Sequence, residues 1–421
     1  MMRESPSEPE SPGLTGPVGS AMHNRLQPSH SIDCPPECSC PPRTAAALRQ
    51  RQERGDLRVR PASDYRQLVR SQGLAAAYAA TDVVVAADAG FTDQGSLHLS
   101  LGPTDPPIRL RSLQLDGVEG LASGGPGELV LPLGGGLAEP QRRSGAQLLA
   151  ALLHGEALPL AASGEATGLH PRRELHIDLA LERIGMARLL LQRAVVENGV
   201  VAASSAPGVC PSPWGPLLGP HHTALYSCGG AGSIGLTMPG LQQLGPGSPL
   251  LVAGALGWVI GAGSGHQPTV RRQASGHALT PGAVAAVSVE LHQLDRRWIR
   301  PCFFEGHGSA LLVAIAAPVL LLDATTAAQA AAGPEQLQAP VLDMAIPRRV
   351  KPALASVTYA ELASGQVQVG DRRLRSAPAH SPRLAADIAA ELTHRLVQNH
   401  FPLRLPDLPL SQRPTLLPLE A

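Results

Sequence analysis

The chain has 421 residues, 43% hydrophobic and 3% aromatic, so it can bury a large core packed by Leu, Val and Ala rather than by rings. Its 34 basic residues balance 34 acidic ones, giving a formal net charge of zero. That removes the electrostatic footprint of a nucleic-acid binder or of a protein held on an anionic membrane.

Residues 1–60 form a charged, Pro/Ser-rich lead that reads as disordered, with one helix at Thr44–Arg54. The lead contains Cys34, Cys38 and Cys40 in the run CPPECSC, with His23 and His30 upstream. Three thiols in a Pro-rich tail fall short of a four-ligand site, so no metal is expected. The remaining cysteines, Cys210, Cys228 and Cys302, are dispersed and point to a reducing, cytoplasmic setting. No apolar stretch of secretory type is visible in the lead.

The folded body, 61–397, alternates two periodicities. Tyr65–Ala80 is Ala-rich with helical spacing, and Asp64 stands near its start. Val83–Ala87 reads as a buried strand, and Ser96–Leu101 and Ile108–Leu115 alternate with period two. The rigid Gly102–Pro107 turn is expected to lay those two strands together, and Asp116-Gly117 marks a turn after the second. Glu128–Leu133 is a strand running into Gly134-Gly135-Gly136. Arg142–Leu153 reads as a helix, Leu175–Leu181 as a strand and Gly185–Glu197 as a helix. Pro249–Val259, Ala283–Leu291 and Leu311–Leu322 are strand material, and Ala385–Val397 is a closing helix. The run Ala310–Leu322 is too short to span a bilayer and contains Pro318, so no membrane partner is expected. The final segment, 398–421, is Pro-rich and extended. The fold class expected is α/β or α+β: one large Gly-rich body of mixed strands and helices between disordered tails.

The densest glycine sequence is Leu251–Val270, an apolar run opening into Gly261-Ala262-Gly263-Ser264-Gly265-His266. It lacks the Lys of a P-loop and the spacing of a dinucleotide fingerprint. Glycines this dense let a backbone approach a ligand closely, and the imidazole of His266 offers proton transfer. Cys228 precedes Gly229-Gly230, where backbone N–H groups can stabilise a thiolate; a small buried hydrophobe is the plainer reading. Arg172 and Arg173 can grip a carboxylate by bidentate contacts, or simply be solvated.

These pieces occur together in one family. The chain resembles the homocysteine biosynthesis, sulfur-incorporation family through GPTDPPIRL (Gly102–Leu110), Gly134–Gly136, PRRE (Pro171–Glu174), GPLLGP (Gly215–Pro220), GALGWVIGAGSGHQPTVRR (Gly254–Arg272), LDRRWIRPCFFEGHGSALLVAIAAPVLLL (Leu294–Leu322) and VLDMAIPRR (Val341–Arg349). The resemblance implies an enzyme that installs sulfur into aspartate semialdehyde to give homocysteine, with a cysteine carrying sulfur as a persulfide. No cofactor beyond that carrier is expected; the partners implied are a small-molecule substrate and a ferredoxin-like protein. Two cysteines of the family pattern are replaced here, by Thr92-Asp93-Gln94 and by Leu169-His170 before Pro171. The site expected on this chain therefore joins Cys228 as thiol and His266 for proton transfer. Arg172, Arg173, Gly263 and Gly265 are expected against the substrate. The alternative is a divergent relative that binds a small metabolite without transferring sulfur.

Overall fold

The residues Val83-Val84-Val85-Ala86 are buried without alternation, which suits a strand inside a sheet covered on both faces. In the computed structural model, which describes residues 40–122, 127–134 and 143–420, they open the strand Val83–Thr92. This strand pairs antiparallel with Gly308–Leu320 in unbroken register, from Val83 opposite Leu320 to Thr92 opposite Leu311. The strand order continues through Pro249–Val252, Ala255–Ala262, Val284–Glu290, Ile184–Val196 and Gly95–Leu101. It then runs through Glu128–Pro132, Val118–Ala122, Leu110–Leu115 and Leu158–Gly164 to Glu174–Leu179 at the far edge. A smaller sheet has the order Ala353–Thr358, Gln338–Asp343, Val201–Ala203, Thr223–Tyr226, Arg372–Pro378, Gln366–Val369. With eight α-helices among the described residues, the architecture is mixed α/β, the class expected.

Three local expectations are corrected. Gly185–Glu197 is not a helix but the strand Ile184–Val196. Ala187, Leu189 and Leu191 are buried while Arg188, Leu190 and Gln192 are more accessible, a period of two that three adjacent leucines obscure. The strands flanking Gly102–Pro107 do not pair with each other. Gly95–Leu101 lies between Glu128–Pro132 and Ile184–Val196. Leu110–Leu115 instead folds back on Val118–Ala122 through Asp116 and Gly117, whose φ of 47° and 81° are those of a tight hairpin turn. The helical stretch Tyr65–Ala80 is two helices, Ala62–Gln72 and Leu74–Ala79, broken at Gly73.

Both ends of the described chain pack against the body. Thr44 caps the helix Ala45–Glu53, which buries Leu48. The Gln52 amide of that helix donates to the carbonyls of Leu396 and Phe401 at 3.1 and 2.8 Å, tying the lead to the tail. The prolines keep the tail extended as expected, yet Phe401, Leu403 and Leu410 are buried, so between Phe401 and Leu410 the tail docks on the core through these side chains. Cys40 packs against that core as well. Cys34, Cys38, Gly135 and Gly136 lie outside the described residues.

Candidate active site

The strand Ile184–Val196 leaves the large sheet at Glu197 and, after Asn198-Gly199-Val200, enters the small sheet as Val201–Ala203. At this crossover lies a cavity of about 130 Å³, whose lining includes Asp88, Arg193, Asn198, Trp214, Cys228 and His380. A larger groove of about 1200 Å³, between Gly145–Leu153, Ile299–Phe304 and Pro382–Val397, has no thiol in its wall. The smaller cavity is where reactive groups meet.

Cys228 follows the strand Thr223–Tyr226 of the small sheet. Its neighbour Ser227 is latched to the crossover: the Ser227 N–H donates to the Val200 carbonyl at 3.0 Å and the Val200 N–H to Ser227 Oγ at 3.1 Å. Gly199 is required opposite, because a Cβ there would overlap that of Cys228. The Gly230 N–H points at Cys228 Sγ, 3.4 Å away. Burial, followed by the charge of Asp88, pushes the thiol up to about 11, against the opposing influence of Ser233, the Gly230 N–H and Tyr359.

Asp88 lies mid-strand on Val83–Thr92. Its Oδ2 accepts the Ile234 N–H at 2.9 Å, and burial pushes its carboxyl up to about 6. A carboxyl titrating there can exchange a proton near neutrality. Tyr359, from the small helix Tyr359–Ala363, donates its buried hydroxyl to Asn198 Oδ1 at 2.7 Å. Asn198 is itself fixed by donating to the carbonyls of Ala278 and Gln338 at 2.7 and 2.8 Å. Burial holds the His380 imidazole below its ordinary value, hence neutral at pH 7; Nδ1 lies 3.4 Å from the Tyr226 carbonyl. The result is a small pocket with a thiol, a carboxyl of raised affinity for protons, a neutral imidazole and one guanidinium.

The residues expected from sequence do not all converge. Cys228 lines the cavity; His266, Arg172 and Arg173 are not part of its wall. His266 is fully buried, and its Nδ1 accepts the Val284 N–H at 3.0 Å. Its Nε2 faces the carbonyls of Leu410 and Arg413 without a hydrogen bond of ordinary length. Leu416 N–H closes the tail over its carbonyl at 3.0 Å. Arg172 bonds the Glu174 carbonyl beside the edge strand Glu174–Leu179, and Arg173 is exposed there. That strand ends the sheet order opposite the Asp88 strand. Gly263 and Gly265 touch the site indirectly, through Gln192 and Arg193. Asp88, Arg193 and His380 are the residues sequence reading missed. An acid inside the apolar run VVVAADAGF is a usable signal for Asp88.

A family model described as "Homocysteine biosynthesis enzyme, sulfur-incorporation" matches residues 58–403. The chain belongs to this family. Two similar proteins carry the name L-aspartate semialdehyde sulfurtransferase. The one from Methanosarcina acetivorans is 28% identical over 363 residues, 86% of this chain and 70% of the relative. The one from Methanocaldococcus jannaschii is 24% identical over 381 residues, 85% and 71% of the two chains. No solved structure matches. Among the described residues no group of three or more His, Cys, Asp or Glu could hold a metal. No helix among them is long and apolar enough to cross a membrane.

Proposed function

We propose that this chain incorporates sulfur into L-aspartate semialdehyde to form homocysteine, with Cys228 as the sulfur-carrying thiol. The observation that supports this most directly is the meeting of Cys228 and Asp88 in a cavity of metabolite size, in a family named for this chemistry. As a thiol raised to about 11, Cys228 is protonated at neutral pH and a poor nucleophile. A persulfide on the same sulfur is a stronger acid and a better nucleophile, which suits a carrier role.

In this reading the terminal sulfur attacks the aldehyde carbon, and Asp88 in its protonated form gives a proton to the carbonyl oxygen. Turning one aldehyde and one persulfide into homocysteine, water and the free Cys228 thiol consumes four electrons and four protons. Two electrons break the S–S bond; two reduce the carbon once water has left. A ferredoxin-like iron–sulfur protein supplies them. Among the described residues Cys210, Cys228 and Cys302 are free thiols, which fits a reducing, cytoplasmic setting.

The test is Cys228→Ser assayed for homocysteine formation from aspartate semialdehyde, with polysulfide, which hands sulfane sulfur to the Cys228 thiolate by exchange and leaves as a shorter polysulfide or sulfide, and with reduced ferredoxin as electron source. Turnover should fall to background; unchanged turnover overturns the thiol's role. The protonated state of Cys228 favours one second reading, a cavity that binds the metabolite without transferring sulfur. That reading requires wild-type chain, supplied with polysulfide and reduced ferredoxin, to bind substrate and form no homocysteine.

A further inference from the structure

The Gly-rich turn that sequence reading put against the substrate does something else. Between Leu191 opposite Val287 and Val195 opposite Ala285, the strand Ile184–Val196 has three residues facing one. This is a bulge, the device that re-aims a side chain beside a site. Arg193 is at its centre and lines the Cys228 cavity. The Gly263–Gly265 turn clamps the bulge from one side. Ser264 N–H donates to the Gln192 carbonyl at 2.8 Å, and Arg193 Nη1 donates to the Ser264 carbonyl at 3.1 Å. A Cβ on Gly263 would overlap the Gln192 carbonyl oxygen. Gly265 has a φ of 74°, and a Cβ there would stand 2.8 Å from Arg193 Nη1. Gly263 thus lets the turn lie against the bulge backbone and Val284, and Gly265 takes a left-handed conformation beside the guanidinium.

Among the described residues Arg193 forms no ion pair. The carboxylate whose charge acts on it, Asp93, is bonded instead to His307 Nε2 at 3.1 Å. A guanidinium at a small cavity with no carboxylate in ion-pair contact among the described residues can receive an anion.

We infer that Arg193, held by the Gly263–Gly265 turn, binds the carboxylate of an α-amino acid substrate and selects that class over uncharged aldehydes. The inference rests on the reading above that the cavity takes an amino-acid aldehyde. Gly263 and Gly265 are positioning residues in this account, acting through Arg193.

The test uses the full chain and L-homoserine, which keeps the amino-acid head but has no aldehyde. Calorimetric titration should show binding to wild type that weakens roughly 10- to 100-fold in Arg193→Gln and less in Arg193→Lys. 3-Amino-1-propanol, which lacks the carboxylate, should bind wild type and Arg193→Gln alike. Gly265→Ala, which leaves the guanidinium in place but crowds it, should raise KM for aspartate semialdehyde while largely keeping kcat. Equal affinity of wild type and Arg193→Gln for L-homoserine overturns the inference, as does absence of binding to wild type. Loss of turnover in Cys228→Ser with unaltered L-homoserine binding in Arg193→Gln sinks only the carboxylate assignment. Arg193-dependent binding with full turnover in Cys228→Ser sinks only the thiol's role.

Discussion

Two carboxylates, Asp88 within the strand Val83–Thr92 and Glu197 just past the strand Ile184–Val196, are treated in opposite ways. The side chain of Glu197 is fully buried, and every acceptor site on it is used. It takes the Gly240 N–H at 2.6 Å, the Ala283 N–H at 3.0 Å and both terminal nitrogens of Arg272. Asp88 receives one N–H, that of Ile234, and no cation among the described residues. It responds by holding its proton up to about pH 6. The same functional group is architecture where it is paired and chemistry where it is left short, because an unpaired charge in low dielectric changes its protonation instead of bracing the fold. Removing each group separates these roles.

The largest loss of stability should come from Glu197→Ala. It strips Arg272 of its counter-charge and leaves two backbone N–H groups without an acceptor, a change that costs about 3–5 kcal/mol. Urea denaturation should show the midpoint falling accordingly. Asp88→Asn should do the reverse, lowering turnover about 10²- to 10⁴-fold while stability stays level or rises. If the two variants lose stability equally, the contrast between brace and acid is wrong.

A pH series refines the same comparison. Asp88 sits above its ordinary value of 3.8 in the folded chain. Between about pH 4 and pH 6 the folded state therefore binds a proton that the unfolded chain has released. The stability this contributes is complete below the unfolded value and is lost as pH rises through 6. Its size is on the order of 2–3 kcal/mol for a shift of about two units. Subtracting the urea stability of Asp88→Asn from that of wild type at each pH isolates the effect, since other titrations cancel. The difference should decline from pH 4 to 7, and a rising difference refutes it.

How far the chain can be read without coordinates depends on where its information is local. Ser96–Leu101 shows its alternation openly, and Ala385–Val397 its helical stripe, because each displays one periodicity with clear punctuation. Ile184–Val196 hides its period behind Leu189-Leu190-Leu191, and only the strands on either side settle its state. That one misreading conceals Arg193, whose aim comes from a bulge and a clamp more than seventy residues away. Cys228 is legible as a thiol beside glycines, yet what makes it interesting arrives from the Val83–Thr92 strand. His266 attracts attention because imidazole in a glycine turn looks reactive; here it braces the turn through Val284 and is covered by the tail. The family motifs name the chemistry sooner than the residues that perform it, since the former are contiguous and the latter are not.

The smallest effect expected is also the most local. Ser233 is 2% exposed, and its buried hydroxyl has no hydrogen-bond partner of ordinary length among the described residues. It faces Cys228 and works to lower the thiol's affinity for its proton. A buried hydroxyl without a full partner costs free energy, so Ser233→Ala should leave stability unchanged or raise it by up to about 1 kcal/mol. The thiol should move the other way, further above 11, because a group that favoured the thiolate is gone. Iodoacetamide alkylation of the Cys228 peptide, followed by mass spectrometry across alkaline pH, reads that shift directly. A slower reaction at every pH in a variant of equal or greater stability would show that this hydroxyl is kept for the sulfur rather than for the fold. An unchanged profile would make Ser233 a packing residue and leave Gly230 and Tyr359 as the groups that support the thiolate.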